Sequence, residues 1–372
     1  MKQLTVIHLV LGKANPDRMN GVNKVVHHLA GTQAATGLKV EVWGITPTPH
    51  EARVPQAYKL RYFRARPMKW ALDPLLKQAI TNEKPNPVVF HLHGAFIPAF
   101  ATAARLLRKA GIPYLFTPHG AYNTFAMQKS RLRKVLYLHL LEKKLLKGAK
   151  KVHLLGQSEQ EGIAKFFRLN NLVTIPNGQF LAEKRVALPP NTPLIFGFCG
   201  RLAVFHKGLD VMLEGFKQYR EQGGTGLLWL IGDGNDRHWC ESYVLENDLP
   251  EQVTFWGSRY GKEKDELLAR THAFLHTSRF EGIPTAVLEA GGLSLPLIIS
   301  RGTNLASYVQ EWQAGWVLEE NTPEQLAEAL YEAEKKWQGQ TLAAYGQQAR
   351  QMVENVFTWE KVSEQLLVSY TT

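Results

Sequence analysis

Short apolar runs alternate with stretches in which apolar residues recur at helical spacing, and this alternation continues along most of the chain. Apolar runs of this length that end at glycine, proline or polar residues are typical of buried strands. In the first half they lie at 3–11, 39–45, 58–63, 88–92, 113–117, 152–155 and 173–175, with helical stretches at 70–82 and 98–110. In the second half they lie at 194–199, 227–231, 253–256, 273–277, 295–300 and 315–318, with helical stretches at 323–337 and 341–368. Strands that alternate with helices predict parallel sheets covered on both faces.

The length and composition allow two such α/β domains. A chain of 372 residues with 45% hydrophobic residues can bury two cores. The stretch 183–193 is polar and proline-rich, which is typical of an interdomain linker. We therefore expect one α/β domain on each side of this stretch.

The net charge of +11 is unevenly divided along the chain. Residues 1–185 contain 29 Lys/Arg against 9 Asp/Glu, a balance of +20, whereas residues 186–372 contain 15 against 24, a balance of −9. A basic half predicts an anionic partner, which could be a nucleic acid, an anionic bilayer or a phosphorylated acceptor.

The densest basic segment is 129–151, which has nine Lys/Arg against Glu142 alone and an apolar stripe of leucines and one valine. Two interpretations fit it. It could be an amphipathic helix on an anionic membrane, where each nearby cation contributes about 1 kcal/mol. Alternatively, it could be a domain helix that packs its apolar side on the sheet. The first interpretation predicts that the amino-terminal domain attaches to a membrane that holds a lipid-linked acceptor.

The cysteines and the first residues bear on the compartment. Cys199 and Cys240 are too few for a disulfide framework or a metal site, so a reducing cytoplasm is the default expectation. His8 interrupts the first apolar run and no small-residue cleavage site follows, which predicts a strand rather than a signal peptide. No run approaches the roughly 20 apolar residues of a spanning helix. We expect a cytoplasmic protein, with peripheral attachment to the inner face of the membrane as an added hypothesis.

Residues 279–300 contain the most informative motif, RFEGIPTAVLEAGGLSLPLIIS. A turn through Glu281 leads into a short helix that begins near Pro284, and a buried strand follows. The first amides of such a helix are unpaired and lie at the positive end of its dipole, which favours an anion. Glu289 lies four residues after Thr285 and therefore on the same helix face. A nucleotide-sugar would suit this combination, with its diphosphate on the amides, its ribose diol on Glu289 and its sugar hydroxyls on Glu281.

Further polar residues follow the predicted strands, where α/β sheets bind ligands. Arg201 and Lys207 follow the strand at 194–199 and would neutralise a diphosphate leaving group. His93 and His119 each precede a glycine at a strand end. Gly21 lies in a loop between the first strand and the first helix, where backbone could approach a phosphate.

The two glutamates separated by seven residues, the small-residue turn and the Pro-Leu-Ile-Ile strand together resemble the signature of family 4 retaining glycosyltransferases. Thr-Pro-His-Gly-Ala, Pro-Asn-Gly, Gly-Arg-Leu followed by Lys-Gly, and Gly-Asp-Gly are similar to other segments of that family. The resemblance covers nearly the whole chain. It implies a GT-B fold, in which two Rossmann-like α/β domains face each other across a cleft. The domains would be 1–185 on the acceptor side and 194–352 for the nucleotide-sugar, with 353–372 a terminal helix that returns to the first domain.

The resemblance also implies roles for particular residues. His119 would contact the transferred sugar, and Arg259 would lie near the nucleotide base. Gly21 would lie near the donor phosphates, although this chain has Asn20-Gly21 where the family commonly has two glycines. The expected catalytic residues are His119, Arg201, Lys207 and Glu281. The expected nucleotide-sugar ligands are Gly21, Arg201, Lys207, Arg259, Glu281, Gly282, Ile283, Pro284, Thr285 and Glu289.

The resemblance implies retaining transfer of a hexose from a nucleotide-sugar, with UDP-glucose or UDP-N-acetylglucosamine as the expected donor. The expected acceptor is a glycan or a lipid-linked acceptor in polysaccharide or envelope biosynthesis. We expect no metal and no cofactor besides the nucleotide-sugar, because no cluster has metal-ligand spacing and no Asp-x-Asp occurs where a metal-dependent transferase would need one. No residue stands out as a nucleophile, which favours front-face attack within an ion pair.

Two alternatives remain at this level. Paired carboxylates also serve glycoside hydrolases, although Lys207 and Arg201 would disfavour a general acid that must keep its proton. The basic half also fits a non-catalytic nucleic-acid-binding protein, but no RNA-recognition signature or aromatic ladder accompanies it. We therefore expect no nucleic-acid partner.

Overall fold

The computed structural model of the protein describes residues 3–13, 21–49, 56–85, 87–123, 127, 131–181 and 192–372. Two compact units make up the chain. Unit 1 comprises Met1–Gly178 together with Trp359–Thr372, and unit 2 comprises Gln179–Thr358. Each unit contains one parallel sheet, so the predicted fold class of two Rossmann-like α/β domains is confirmed.

Unit 1 is built on a seven-stranded sheet of order β3-β2-β1-β4-β5-β6-β7, in which every pair is parallel. The order 3-2-1-4-5 is that of a dinucleotide-binding fold. The strands are β1 (Thr5–Leu11), β2 (Lys39–Thr46), β3 (Lys59–Arg64), β4 (Val88–His93), β5 (Tyr114–Thr117), β6 (Lys151–Leu154) and β7 (Leu172–Thr174). The helices are α1 (Gly21–Ala35), α2 (Pro74–Asn82), α3 (Pro98–Lys109), α4 (Arg131–Tyr137), a π-helical turn (Leu138–Glu142), α5 (Lys143–Gly148), α6 (Gln157–Ala164) and the terminal α15 (Trp359–Thr371).

Unit 2 repeats this order with six parallel strands, β10-β9-β8-β11-β12-β13. The strands are β8 (Ile195–Cys199), β9 (Leu227–Ile231), β10 (Val253–Gly257), β11 (Ala273–His276), β12 (Leu297–Ser300) and β13 (Gly315–Leu318). The helices are α7 (Val204–Lys207), α8 (Leu209–Glu221), α9 (Arg237–Glu246), α10 (Gly261–Ala269), α11 (Thr285–Gly292), α12 (Ala306–Glu311), α13 (Pro323–Gln338), α14 (Leu342–Met352) and a π-helical turn (Val353–Phe357). In both units the central strands are buried on both faces, as their apolar runs predicted.

The stretch predicted as one terminal helix, 341–368, is divided in the structure. Thr358 has an extended backbone and forms a β-bridge with Gln179, whose N–H donates to the Phe357 carbonyl at 2.6 Å. This pairing ends the helical segment of unit 2, and a separate helix, α15, begins at Trp359 in unit 1. The units therefore divide at Gly178 and at Thr358, and most of the expected linker at 183–193 lies outside the described residues.

The helix α15 completes a core on one face of the unit 1 sheet. Its Trp359, Val362, Leu366 and Tyr370 are buried, and the residues they join come from β1, α1, β4, β5 and the end of β7. The shared cluster consists of Val6, Leu29, Val89, Leu115 and Ile175 together with those four side chains. The terminal helix is therefore part of the unit 1 core.

Within the basic segment 129–151, residues 131–148 form α4, the π-helical turn and α5. Some of its leucines fit one of the two interpretations and some fit the other. Leu138 and Leu146 are fully buried, as expected for a helix packed on a domain. Leu132, Leu136 and Leu140 are instead exposed by 88%, 62% and 64%. Within the described part of the chain, no helix is both long and apolar enough to span a bilayer.

Candidate active site

Three loops meet at the carboxyl ends of the unit 2 strands, and close backbone contacts hold them together. Gly232, after β9, has φ 148°, and a Cβ there would lie 1.8 Å from the Gly200 carbonyl after β8. Gly208, after α7, is left-handed with φ 62°, and a Cβ there would lie 2.0 Å from the Thr277 carbonyl after β11. Only glycine permits both approaches. The loops therefore form one edge where α/β sheets bind ligands.

Lys207 and Glu281 form an ion pair at this edge. Both side chains are largely buried, with 13% and 16% of their surfaces exposed. Burial by itself raises the pKa of Glu281, but its interactions with His276 and Lys207 outweigh this effect and lower the pKa to about 2. Glu281 is therefore a carboxylate at neutral pH, and the pair is a fixed arrangement of opposite charges.

His276 lies next to this ion pair, and the sequence did not indicate it. It ends β11 between the rings of Phe198 and Phe274, and its Nε2 lies 3.8 Å from Glu281 Oε1. Burial lowers its pKa, so the ring is neutral at pH 7. The buried Nδ1 has no hydrogen-bond partner in the part of the chain that the structure describes. Its position at a strand end just before the glutamate motif is the signal that could have identified it.

The helix α11 begins directly after the Glu281 turn, as predicted. Its N-cap is the buried Pro284, and no described side chain caps it. Gly282 and Thr285 are exposed, while Ile283 packs partly against the unit 2 core. The first-turn amides are therefore free of a side-chain cap at the positive end of the helix dipole, as an anion site requires. That these residues bind an anion stays a prediction.

Glu289, on the same helix, is paired with a lysine that the sequence did not indicate. Lys264 Nζ of α10 lies 2.7 Å from Glu289 Oε2, and the two side chains are 17% and 24% exposed. Lys264, Glu289 and Lys207 all lie close enough to affect the pKa of Cys199, which burial raises to about 11. The two ion pairs, Lys207–Glu281 and Lys264–Glu289, therefore both lie near the end of β8.

Arg201 belongs to the same group of charges. Burial is the main cause that lowers the pKa of His206. The charge of Glu281 opposes this shift, whereas the charges of Lys207 and Arg201 add to it, so all three groups lie within electrostatic reach of His206. Arg201 is exposed and forms no ion pair with any described residue. Its guanidinium is therefore available to a ligand at the edge that holds Lys207.

Arg259 lies on another loop. Its recorded contacts are to the Ser258 carbonyl at 3.2 Å and to Glu263 at 4.0 Å, both on its own loop and helix. It lines a pocket of about 460 Å³ with Trp256, Glu263, Glu266, Leu267 and Arg270. The structure thus brings Arg201, Lys207 and Glu281 together but records no contact between them and Arg259.

A bidentate pair fixes the loop that carries Glu281. The guanidinium of Arg279 donates to both oxygens of Asp210, at 2.8 Å and 2.7 Å, and lies 5.1 Å over the ring of Phe205. The backbone N–H of Arg279 also donates to the His206 carbonyl at 3.1 Å. These contacts tie the motif to α7 and α8, and no local sequence pattern indicates them.

In unit 1 the predicted residues are His119 and Gly21. His119 follows β5 with a left-handed backbone, φ 56°, and its Nε2 lies 3.0 Å from His93 Nδ1. The loop after His119 lies near Glu159, a buried carboxyl whose pKa is raised by burial and lowered in part by the backbone of Leu155, Gly120 and Tyr122. Gly21 is the first residue of α1 and is exposed. Residues 14–20, which include Asn20, lie outside the described residues.

His8, His91 and His93 are the described residues whose positions could suit a metal ion. Their ligand atoms lie within 4.8 Å of one another, because β1 and β4 pair His8 with His91 and because His93 shares the sheet face of His91. All six ring nitrogens form hydrogen bonds, to each other, Gln33, Thr117, His119 and Tyr370. The absence of a metal from the reaction stays a prediction.

Comparisons with known proteins agree with this architecture. Residues 179–352 match the family model "Glycosyl transferases group 1", and residues 20–178 match "Glycosyl transferase 4-like domain". Together these matches cover residues 20–352, which are most of both units. The chain belongs to the family 4 glycosyltransferases of GT-B fold.

Two curated relatives illustrate the similarity. A protein of Escherichia coli K12 named for colanic acid biosynthesis, WcaL, is 27% identical over 183 residues, which are 48% of this chain and 45% of WcaL. The amylovoran biosynthesis glycosyltransferase AmsK of Erwinia amylovora is 28% identical over 33% of this chain and 32% of AmsK. The chain thus spans less than half the length of these relatives.

Solved structures share the fold along the whole chain. The crystal structure of Anabaena Alr3699/HepE in complex with UDP has a TM-score of 0.72 and 15% identity, and covers 99% of both chains. The apo form of the lipopolysaccharide outer core galactosyltransferase WaaB has a TM-score of 0.71 and 15% identity, and covers 98% of this chain and 99% of its own.

Proposed function

We propose that the protein is a retaining, metal-independent hexosyltransferase. The donor would be a UDP-linked sugar, glucose or N-acetylglucosamine, and the acceptor a glycan or lipid-linked glycan of envelope polysaccharide biosynthesis. The relatives WcaL and AmsK are named for the biosynthesis of colanic acid and of amylovoran, and the HepE structure contains UDP. Family membership and these names support the reaction class, and the site residues support the chemistry.

The observation that carries the proposal is the group of charges at the end of β8. Arg201, Lys207 and the first turn of α11 supply positive charge and N–H donors within one edge of unit 2. A diphosphate needs this combination because negative charge grows on it as the glycosidic bond breaks. Glu289 would accept from the ribose diol while Lys264 holds its carboxylate.

In this scheme the bond between the anomeric carbon and the β-phosphate oxygen breaks first, and its electron pair stays on the phosphate. Arg201, Lys207 and the helix amides stabilise that charge, so no metal ion or further cofactor is needed. The acceptor hydroxyl attacks the same face that the phosphate leaves, and its proton passes to the leaving phosphate oxygen. The configuration of the anomeric carbon is retained.

The state of Glu281 separates this reaction from glycoside hydrolysis. A glycosidase needs a carboxylic acid whose pKa is raised so that it can protonate the leaving group. Burial raises the pKa of Glu281, but Lys207 and His276 bring it down to about 2. Glu281 is therefore a hydrogen-bond acceptor for sugar hydroxyls in our proposal and an unsuitable general acid.

We also propose that unit 1 attaches peripherally to an anionic membrane that holds the acceptor. Leu132, Leu136 and Leu140 recur four residues apart and are all exposed on α4 and the π-helical turn. Arg133 and Lys144 are exposed on the same segment. Exposed leucines beside cations are suited to the interface of an anionic bilayer.

The test is product analysis with purified protein, UDP-glucose, UDP-N-acetylglucosamine, GDP-mannose and a lipid-linked glycan acceptor. We expect transfer from one UDP-sugar, and proton NMR of the product should show an α-linkage, as in the donor. A β-linked product would contradict retention. Release of free sugar from an acceptor glycan without any nucleotide-sugar would favour a hydrolase and overturn the proposal.

A further inference from the structure

A continuous chain of hydrogen bonds runs through the interior of unit 1 and ends at His119. It links five histidines with two hydroxyls, one carboxamide and one carbonyl. Its members, in order, are His119, His93, His8, Gln33, Tyr370, His91, Thr117, His153 and the carbonyl of Ile175. The successive distances are 3.0, 2.9, 2.8, 3.1, 2.8, 2.6, 2.8 and 2.7 Å.

All five histidines are neutral at pH 7. Burial is the main cause that lowers the pKa of His8 and His153 to about 4 and that of His119 to about 3. Burial also lowers the pKa of His91 and His93, and the neighbouring histidines add to the effect. A neutral imidazole has one N–H donor and one acceptor nitrogen, so each ring passes on the direction of the chain.

The direction is set at the Ile175 end. A backbone carbonyl can only accept, so His153 carries its proton on Nε2 and its Nδ1 must accept. The hydroxyl of Thr117 therefore donates to His153 and accepts from Nε2–H of His91. Nδ1 of His91 is then an acceptor, and the hydroxyl of Tyr370 donates to it.

The same logic continues to the other end. The only proton of the Tyr370 hydroxyl is already donated to His91, so this hydroxyl accepts from the N–H₂ group of Gln33. The side-chain oxygen of Gln33 therefore faces His8 and accepts a hydrogen bond from it. His8 donates from Nε2 and accepts at Nδ1 from Nε2–H of His93. His93 accepts at Nδ1, so His119 must carry its proton on Nε2.

We propose that this chain holds His119 in the Nε2–H tautomer and leaves its Nδ1 as an acceptor for a substrate hydroxyl, with Tyr370 and Gln33 as positioning residues. No described residue forms a hydrogen bond with Nδ1 of His119, and the His119 side chain is only partly buried. The substrate part of this inference rests on the proposed function. It follows that the group facing His119 must be a donor, so a hydroxyl is accepted, whereas an O-methyl group or a carboxylate is disfavoured.

Nitrogen-15 NMR of the full-length protein, labelled at histidine, tests the tautomer directly and requires no enzymatic activity. Two-bond correlations distinguish Nε2–H from Nδ1–H rings, and a His119→Gln sample assigns the signal. We expect the Nε2–H pattern in the native protein at pH 7.5. A Nδ1–H pattern, an equal mixture or a charged ring would overturn the proposal, as would a stoichiometric Zn²⁺ site at His8, His91 and His93, because the metal would take nitrogens that the chain uses.

The variant Tyr370→Phe removes one hydroxyl and separates His119 from the carbonyl that sets the direction. We expect the second tautomer of His119 to appear. Tyr114→Phe is the matched control, because Tyr114 is also buried in unit 1. Its hydroxyl donates to the Leu145 carbonyl at 2.6 Å and takes no part in the hydrogen-bond chain that ends at His119. An unchanged His119 signal in Tyr370→Phe, or an equal change in Tyr114→Phe, would refute the positioning role.

Kinetics test the substrate part separately. With the preferred donor, Tyr370→Phe should lower kcat/KM by about fivefold to tenfold. It should also reduce the native preference for a free hydroxyl over its O-methyl analogue, whereas Tyr114→Phe should change neither value. If the tautomer result holds but discrimination is unchanged, the chain stands and the hydroxyl contact is refuted. If no nucleotide-sugar is used at all, the proposed function fails independently of the tautomer.

Discussion

Unit 1 and unit 2 have the same strand order, but they bury their polar groups differently. Unit 1 buries neutral rings and hydroxyls in a directed series of hydrogen bonds, from His119 to the carbonyl of Ile175. Unit 2 buries opposite charges, Lys207 with Glu281 and Lys264 with Glu289. A series of hydrogen bonds between neutral groups determines which atom carries each proton, whereas ion pairs determine the electrostatic potential around them. One fold can therefore supply orientation in one unit and charge in the other.

The largest expected effect concerns the charges of unit 2. Lys207→Met removes the ammonium group but keeps an unbranched side chain, so the leaving phosphate loses a stabilising charge. We expect kcat to fall on the order of 100- to 1,000-fold. Lys335→Met is the control, because Lys335 is an exposed lysine of the same unit that also pairs with a glutamate, Glu332. Nucleotide release measures the rate, and circular dichroism checks that both variants fold. Near-native turnover in Lys207→Met would contradict the role of this charge.

The next effect concerns acid and unit 1. In the unfolded chain histidines take up protons below about pH 6.5, whereas His8 and His153 in the folded protein resist until about pH 4. Each of these buried neutral histidines therefore stabilises the folded protein fully above pH 6.5. This contribution to the free energy of unfolding is lost as the pH falls towards 4, by at most about 3 kcal/mol for each histidine. The Glu281 pair persists to about pH 2. We expect unit 1 to unfold first.

Hydrogen exchange by mass spectrometry, with samples held between pH 7 and pH 4 and labelled at one fixed pH, measures this order. Peptides from β1 and β4 should lose protection before peptides from β8 and β12. His153→Gln should reduce the acid sensitivity, while the exposed His139→Gln should leave it unchanged. Simultaneous loss of protection in both units would contradict the prediction.

The smallest effect concerns the surfaces of the two units. Leu136→Ser should weaken flotation of the protein with anionic liposomes, by about tenfold in partition for one lost leucine. Leu245→Ser in unit 2 is matched in exposure, 66% against 62%, and should leave flotation unchanged. Native protein that fails to float at low salt would refute the membrane proposal.

Much of the fold could be predicted because it depends on local pattern. Apolar runs bounded by glycine, proline and polar residues located β1 and β8 to within one or two residues. The break at Thr358 could not be predicted, because it arises from pairing with Gln179, a residue far away in the chain.

The site was predictable to the extent that its residues lie in one motif. Lys207 and Glu281 were identified because they follow strand ends, and Glu289 because it lies on the same helix face as Thr285. Lys264 was missed because it belongs to a helix with no distinctive motif, and only the fold brings it to Glu289. Gln33 and Tyr370 lie 337 residues apart in sequence, and neither belongs to a motif that indicates their hydrogen bond. Long-range polar pairs carry no local signal.

The return of α15 to unit 1 bears on synthesis at the ribosome. The apolar face formed by Val6, Leu29 and Leu115 is covered by Trp359 and Leu366, which are translated only after the whole of unit 2. Domains generally fold as they emerge from the ribosome. In this protein unit 2 can complete its core before synthesis ends. The first part of unit 1 emerges earlier, but its apolar face stays uncovered until α15 has been translated. The nascent protein is therefore most vulnerable to aggregation during that interval.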